Sequence, residues 1–203
     1  MADINSNKAE KIKDKALEYL NSNYDDTFTA MGYSASGWAY DYSTVSFNSG
    51  KYSKSVEVRV YKENGTYSFT DDYFKLYMEN DAVAYLKNIV NRYGKANEVK
   101  VRFVSPELPD SLGTKATFSD YMASGKCDLE VYIVSGSAFN ESDTTAMLSE
   151  ICAAKITGNF RFTVTDDKDL LSAFSISEIV NKKADSIIEK KSYSINNNFE
   201  VVK

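Results

Sequence analysis

Apolar residues recur every third or fourth position between residues 8 and 23, where Ile12, Ala16, Leu17, Tyr19, Leu20 and then Tyr24 are separated by Lys, Glu and Asp. That spacing places them on one face of an amphipathic helix. From Thr27 to Phe69 the period falls to two. Trp38, Tyr40 and Tyr42 alternate, as do Val56, Val58 and Val60, and then Tyr67 and Phe69; this is the rhythm of an antiparallel meander. Asn64-Gly65 predicts a tight hairpin turn between a strand ending near Tyr61 and one starting near Thr66, because both turn residues tolerate positive φ. Ser49-Gly50 marks a second turn.

Asp71-Asp72 opens a second helical pattern that runs through Phe74, Leu76, Tyr77, Val83, Leu86, Ile89 and Val90 to Tyr93. Gly94 is its expected stop and Asn80-Asp81 a candidate break. Beyond it the pattern alternates. Strands are predicted over 98–104, 128–134 and 159–164, with helices over 116–124 and 142–156 between them. A longer helix is predicted from Asp167 to about Lys190, interrupted near Ser175, and the tail from Tyr193 to Val202 reads as an edge strand. The fold class is therefore α+β, with an N-terminal helix packed on an antiparallel meander followed by an alternating β/α half. A seam at 94–97 would divide the chain into 1–94 and 95–203; the alternative is one continuous domain over 7–203.

Composition narrows the chemistry. The chain has 203 residues, 43% hydrophobic and 26% charged, which is ordinary for a globular protein able to bury a core. Its net charge of -5 disfavours a nucleic-acid partner, which needs clustered cations. The densest basic run, Lys182, Lys183, Lys190 and Lys191, lies among Glu and Asp and reads as the solvated face of a helix. No stretch approaches the roughly eighteen consecutive apolar residues of a membrane helix. The first residues form no signal peptide, so the N-terminus alone does not fix localisation. Cys127 and Cys152 lie too far apart for a metal knuckle; they are either buried small hydrophobes or a pair formed in an oxidising compartment.

The sequence contains no histidine. This removes Ser-His and Cys-His triads and imidazole metal sites together, and the balance leans away from an enzyme. No cofactor motif, metal-ligand set or catalytic residue stands out. Asp25-Asp26, Asp71-Asp72 and Asp166-Asp167 fall at predicted turns or helix starts, where carboxylates cap free amides. Ser135-Gly136-Ser137 lacks the lysine and glycine spacing of a phosphate loop and reads as a linker leading to a helix cap. Tyrosine occurs 15 times and phenylalanine 11 times. Trp38, Tyr40 and Tyr42 would share one face of a strand. If exposed, that face is a platform for a protein, peptide or glycan ligand; if it faces a helix, it is core.

The run from Lys15 to Phe28, a helix ending in Tyr24-Asp25-Asp26-Thr27-Phe28, resembles the start of the mature part of small uncharacterised lipoproteins and secreted proteins of Gram-positive bacteria. The resemblance implies an exported, extracellular or cell-surface protein, lipid-anchored upstream of these residues, with a helix against a curved antiparallel sheet as in cystatin-like domains. The reading that follows is a non-enzymatic extracytoplasmic binding module whose binding residues are Trp38, Tyr40 and Tyr42. Two other readings stay open: a carboxylate-dependent hydrolase of glycans or peptides, with two acidic side chains facing across a cleft, and an intracellular accessory protein.

Overall fold

The computed structural model describes residues 2–38, 40–95, 98–172, 174–181 and 186–202. Its contacts divide the chain into two compact units, Met1–Tyr77 with Pro106–Leu108, and Met78–Ser105 with Pro109–Lys203. The division falls inside the second long helix. The fold is α+β.

In the first unit, α1 (Ala2–Asn23) precedes β1 (Phe28–Ser34), β2 (Tyr42–Ser49), β3 (Ser55–Glu63) and β4 (Thr66–Asp71), which pair in sequential order as an antiparallel sheet. Alternation decides the faces. Val45, Phe47, Val56, Val58 and Val60 point to the core with Ile12, Ala16 and Leu20 of α1, all nearly inaccessible to solvent, while their neighbours Thr44, Ser46, Glu57 and Arg59 lie on the opposite face. Asn64 (φ +49°) and Gly65 (φ +85°) close the β3–β4 hairpin as the sequence predicts.

The helix α2 (Phe74–Tyr93) is continuous through Asn80-Asp81, the candidate break. In the second unit it leads to β5 (Glu98–Phe103), α3 (Phe118–Ala123), β6 (Cys127–Ser135), α4 (Glu141–Ala153), β7 (Ile156–Thr165), α5 (Lys168–Ser172), α6 (Ile176–Asn181), β8 (Ile187–Ile195) and β9 (Val201–Val202). The sheet order is β5-β6-β7-β8-β9, with β6 and β7 parallel and the other pairs antiparallel. One face, including Phe103 and Phe162, meets Phe118, Tyr121 and Phe139. On the other, Tyr132 and Val134 pack with Leu170, Phe174 and Ile179 from α5 and α6 and the turn between them.

The long helix predicted from Asp167 to Lys190 is corrected here. Two short helices occupy its first part, and from Ile187 the chain is a strand hydrogen-bonded to β7, with Lys191 opposite Phe162 and Tyr193 opposite Phe160. The dense Lys and Glu content reads locally as helix, yet β7 exposes an open ladder that this segment satisfies, and charged side chains suit a strand close to the sheet edge. Lys190 and Lys191 therefore sit on a strand and not on a helix face; Lys182 and Lys183 lie outside the described residues. Cys127, buried, and Cys152, half-buried, are both free thiols. Among the described residues no helix is long and apolar enough to cross a membrane.

Candidate functional site

Trp38, Tyr40 and Tyr42 are not three positions of one strand. β2 begins at Tyr42, and Trp38 and Tyr40 belong to the connection from β1. Ser36-Gly37 breaks the alternation: the Gly37 N–H donates to the Tyr40 carbonyl (3.1 Å) and folds the segment back on itself. The base of this connection is tied down by Ser43, whose buried Oγ accepts from the Ser36 N–H (3.1 Å). Trp38 stands wholly in solvent, at 102% of its reference exposure, and Tyr40 is 63% exposed.

The structure nevertheless brings Tyr40 and Tyr42 together and extends them. Ring centroids of Tyr40 and Tyr42 are 5.2 Å apart, and those of Tyr42 and its cross-strand partner Tyr61 are 5.3 Å apart. The Arg59 guanidinium lies 5.1 Å from the Tyr42 centroid, and its Nε donates to Glu57 Oε1 at 3.3 Å. The result is a row of phenol rings braced by a cation, on the sheet face away from α1, with a free indole on the adjoining connection. Tyr61 and Arg59 are not among the residues that the sequence singles out, although Val56, Val58 and Val60 pointing inward already require Arg59 and Tyr61 to point outward. An indole, three phenols and a guanidinium bind by stacking and hydrogen bonding.

Acidic residues hold the rest of this unit in place. Asp71, 9% exposed, accepts from Tyr19 Oη (2.7 Å), Tyr24 Oη (2.9 Å to its nearer oxygen) and the Tyr73 N–H (2.9 Å). Burial, followed by the Asp71 charge and hydrogen bond, pushes both phenols well above the ordinary tyrosine value. Asp26 accepts from Ser49 Oγ, from the Thr27 and Lys51 N–H groups and from Tyr73 Oη. Desolvation would raise its carboxyl, but these donors outweigh it and hold the group below the usual range. Asp72 accepts from the Glu57 N–H, tying β3 to the start of α2, and burial raises its carboxyl. Asp167 caps α5 through the Asp169 and Leu170 N–H groups. The expectation that these carboxylates accept free backbone amides thus holds for Asp26, Asp71, Asp72 and Asp167, and Asp26 and Asp71 hold tyrosine hydroxyls in addition.

In the second unit Ser135 Oγ lies 2.8 Å from the carbonyls of Lys95 and Ser137, which share its single proton, and the following helix α4 is capped by Asn140, the linker and cap that the sequence predicts. Among the described residues no three His, Cys, Asp or Glu side chains gather as metal ligands. Comparison with known protein families, characterised proteins and solved structures finds no match to this chain.

Proposed function

We propose that this protein is a non-enzymatic binding module acting outside the cytoplasm, and that Trp38, Tyr40 and Tyr42, with Tyr61 and Arg59, form its ligand platform. The observation that carries the reading is a fully exposed indole beside a continuous row of rings. Folding gains nothing from Trp38 in solvent, while a large, stiff aromatic side chain offers binding area at low entropic cost. A shallow row of rings edged with hydroxyls, including those of Thr44 and Ser46 on the same face, fits a polysaccharide chain. Sugar rings present flat C–H faces for stacking and hydroxyls at their rims.

The hydrolase alternative receives no comparable support. Among the described residues the most buried carboxylates are occupied, Asp71 by tyrosines and Glu130 by Arg102, Arg161 and Tyr132.

The test is titration of Trp38 fluorescence with soluble cell-wall and plant glycans. Binding should shift and protect the emission, and Trp38→Ala, which removes the chain's single tryptophan and is therefore read by isothermal titration calorimetry beside the parent, should weaken binding by about thirtyfold, the effect of losing a central aromatic contact. Glycan binding that leaves Trp38 quenching untouched, or no binding by any glycan tried, removes the proposal.

A further inference from the structure

The first sheet has two edges, and they differ. On β1 the pairing register shifts between Ala30 and Gly32, and the intervening Met31 is 68% exposed; such a bulge spoils an edge for further pairing. β4 pairs with β3 without any shift. Its hairpin turn makes Glu63 and Thr66 the closing hydrogen-bonded pair, so by alternation Ser68 and Thr70 also bond to β3. Tyr67 and Phe69 then turn their N–H and C=O groups outward, and among the described residues nothing bonds to them there.

Beside that edge runs an open groove of about 500 Å³ between α1 and β4. Its floor is aromatic: Tyr19 stacks on Phe69 (5.1 Å, 16°) and Tyr67 continues the row (6.5 Å, 21°). Lys15 and Lys62 place their ammonium groups 5.4 and 5.5 Å from the Tyr67 centroid. Among the described residues neither lysine is paired with a carboxylate, and Glu18 is the carboxylate in the groove lining.

We propose that β4 accepts an added antiparallel strand from a partner, an extended peptide that sets an acidic side chain against Tyr67 between the two lysines and an apolar one against Phe69. Main-chain bonds to Tyr67 and Phe69 supply affinity, and the groove reads alternate side chains. The unpaired lysines select acidic character, and the stacked floor selects an apolar neighbour two residues away. The site is separate from the Trp38 platform and does not depend on the glycan reading.

The probe is acetyl-Ser-Glu-Thr-Phe-Thr-Glu-Ser-amide, added to the full chain and followed by amide hydrogen exchange. Without peptide, the Tyr67 and Phe69 amides should exchange faster than those of Ser68 and Thr70; with it, they should slow at least tenfold. Methylating the Phe nitrogen of the peptide should abolish binding, because that N–H faces β4, whereas methylating a Thr nitrogen should not. Charge reversal at both Lys15→Glu and Lys62→Glu should weaken binding by about tenfold, as expected for two partly exposed charge pairs. Absence of binding, binding that leaves the Tyr67 and Phe69 amides unprotected, or equal sensitivity to both methylations overturns the proposal. Protection that grows with protein concentration and without peptide also overturns it, by showing a second copy on the edge.

Discussion

Replacing Asp71 by Ala should destabilise the first unit more than any surface change, and the size follows from its three donors. The Tyr73 N–H belongs to a residue only 4% exposed, so losing its acceptor costs about 2 kcal/mol. The hydroxyls of Tyr19 and Tyr24 are half-buried and recover some water, so each adds nearer about 1 kcal/mol. Relief of a desolvated carboxylate offsets part of this, leaving a net loss of about 3 kcal/mol for Asp71→Ala. Asp71→Asn keeps one acceptor oxygen and should lose about half as much. Tyr24→Phe should cost about 1 kcal/mol, and in the Asp71→Ala background nearly nothing, since its acceptor is already gone. Urea unfolding of the full chain followed by far-UV circular dichroism measures all four; tryptophan emission is unsuitable because Trp38 is solvent-exposed in the folded state. A loss below about 1 kcal/mol for Asp71→Ala, or additive Asp71 and Tyr24 effects, would refute the claim that this carboxylate holds α1 on the sheet.

Other expectations follow from the same contacts. Tyr19 and Tyr24 have folded-state pKa values above the ordinary value of about 10, so the stability they contribute is complete below pH 10 and lost as pH rises beyond it; absorbance at 295 nm should show phenols titrating late and together with unfolding, and early titration of every tyrosine would contradict the network. Trp38→Ala should leave the unfolding free energy from urea titration within about 0.5 kcal/mol of the parent, as expected of an exposed side chain without packing. Gly158→Ala should abolish folding of the second unit, because a Cβ there would lie 1.9 Å from the Leu129 carbonyl oxygen, at a φ of +120°; a soluble variant with unchanged circular dichroism would show that β6 and β7 can separate. Burial and the neighbouring Asp128 charge raise the Cys127 thiol, so it should react with a disulfide reagent only after unfolding, and rapid labelling of both cysteines in the native state would count against its position.

Periodicity reveals most of this architecture because strong alternation survives in any context: Val56, Val58 and Val60 could face only one way, and Asn64-Gly65 could make few other turns. Charge-rich segments are less legible. Ile187–Ile195 becomes a strand through the ladder of β7, a partner about thirty residues earlier that no local window contains. The same limit applies to the sites. Trp38, Tyr40 and Tyr42 stand out in composition, but their alternation does not reveal that Trp38 and Tyr40 lie in the connection between β1 and β2 while Tyr42 opens β2. The tyrosine anchors of Asp71, 52 and 47 residues away in sequence, carry no local signal at all. Nor does the groove beside β4, which exists only once α1 has settled against Phe69.

The two sheets also differ in how far apart their pairing strands lie along the chain. Strand order is sequential in both, but the strands of the first are joined by short connections, whereas β6 and β7 pair in parallel and meet only after the intervening helix α4 has been laid down. Short loops close quickly and long ones slowly. On a growing chain, β1 to β4 can therefore zip up while β7 is still unmade, and β6, buried on both faces, must wait with its apolar surface unprotected. Pulse-labelled exchange during refolding should find the amides of β2 and β3 protected before those of β6, and the reverse order would mean that the parallel pair, not the meander, nucleates the protein. The interval between those two events is when this chain is most exposed to aggregation.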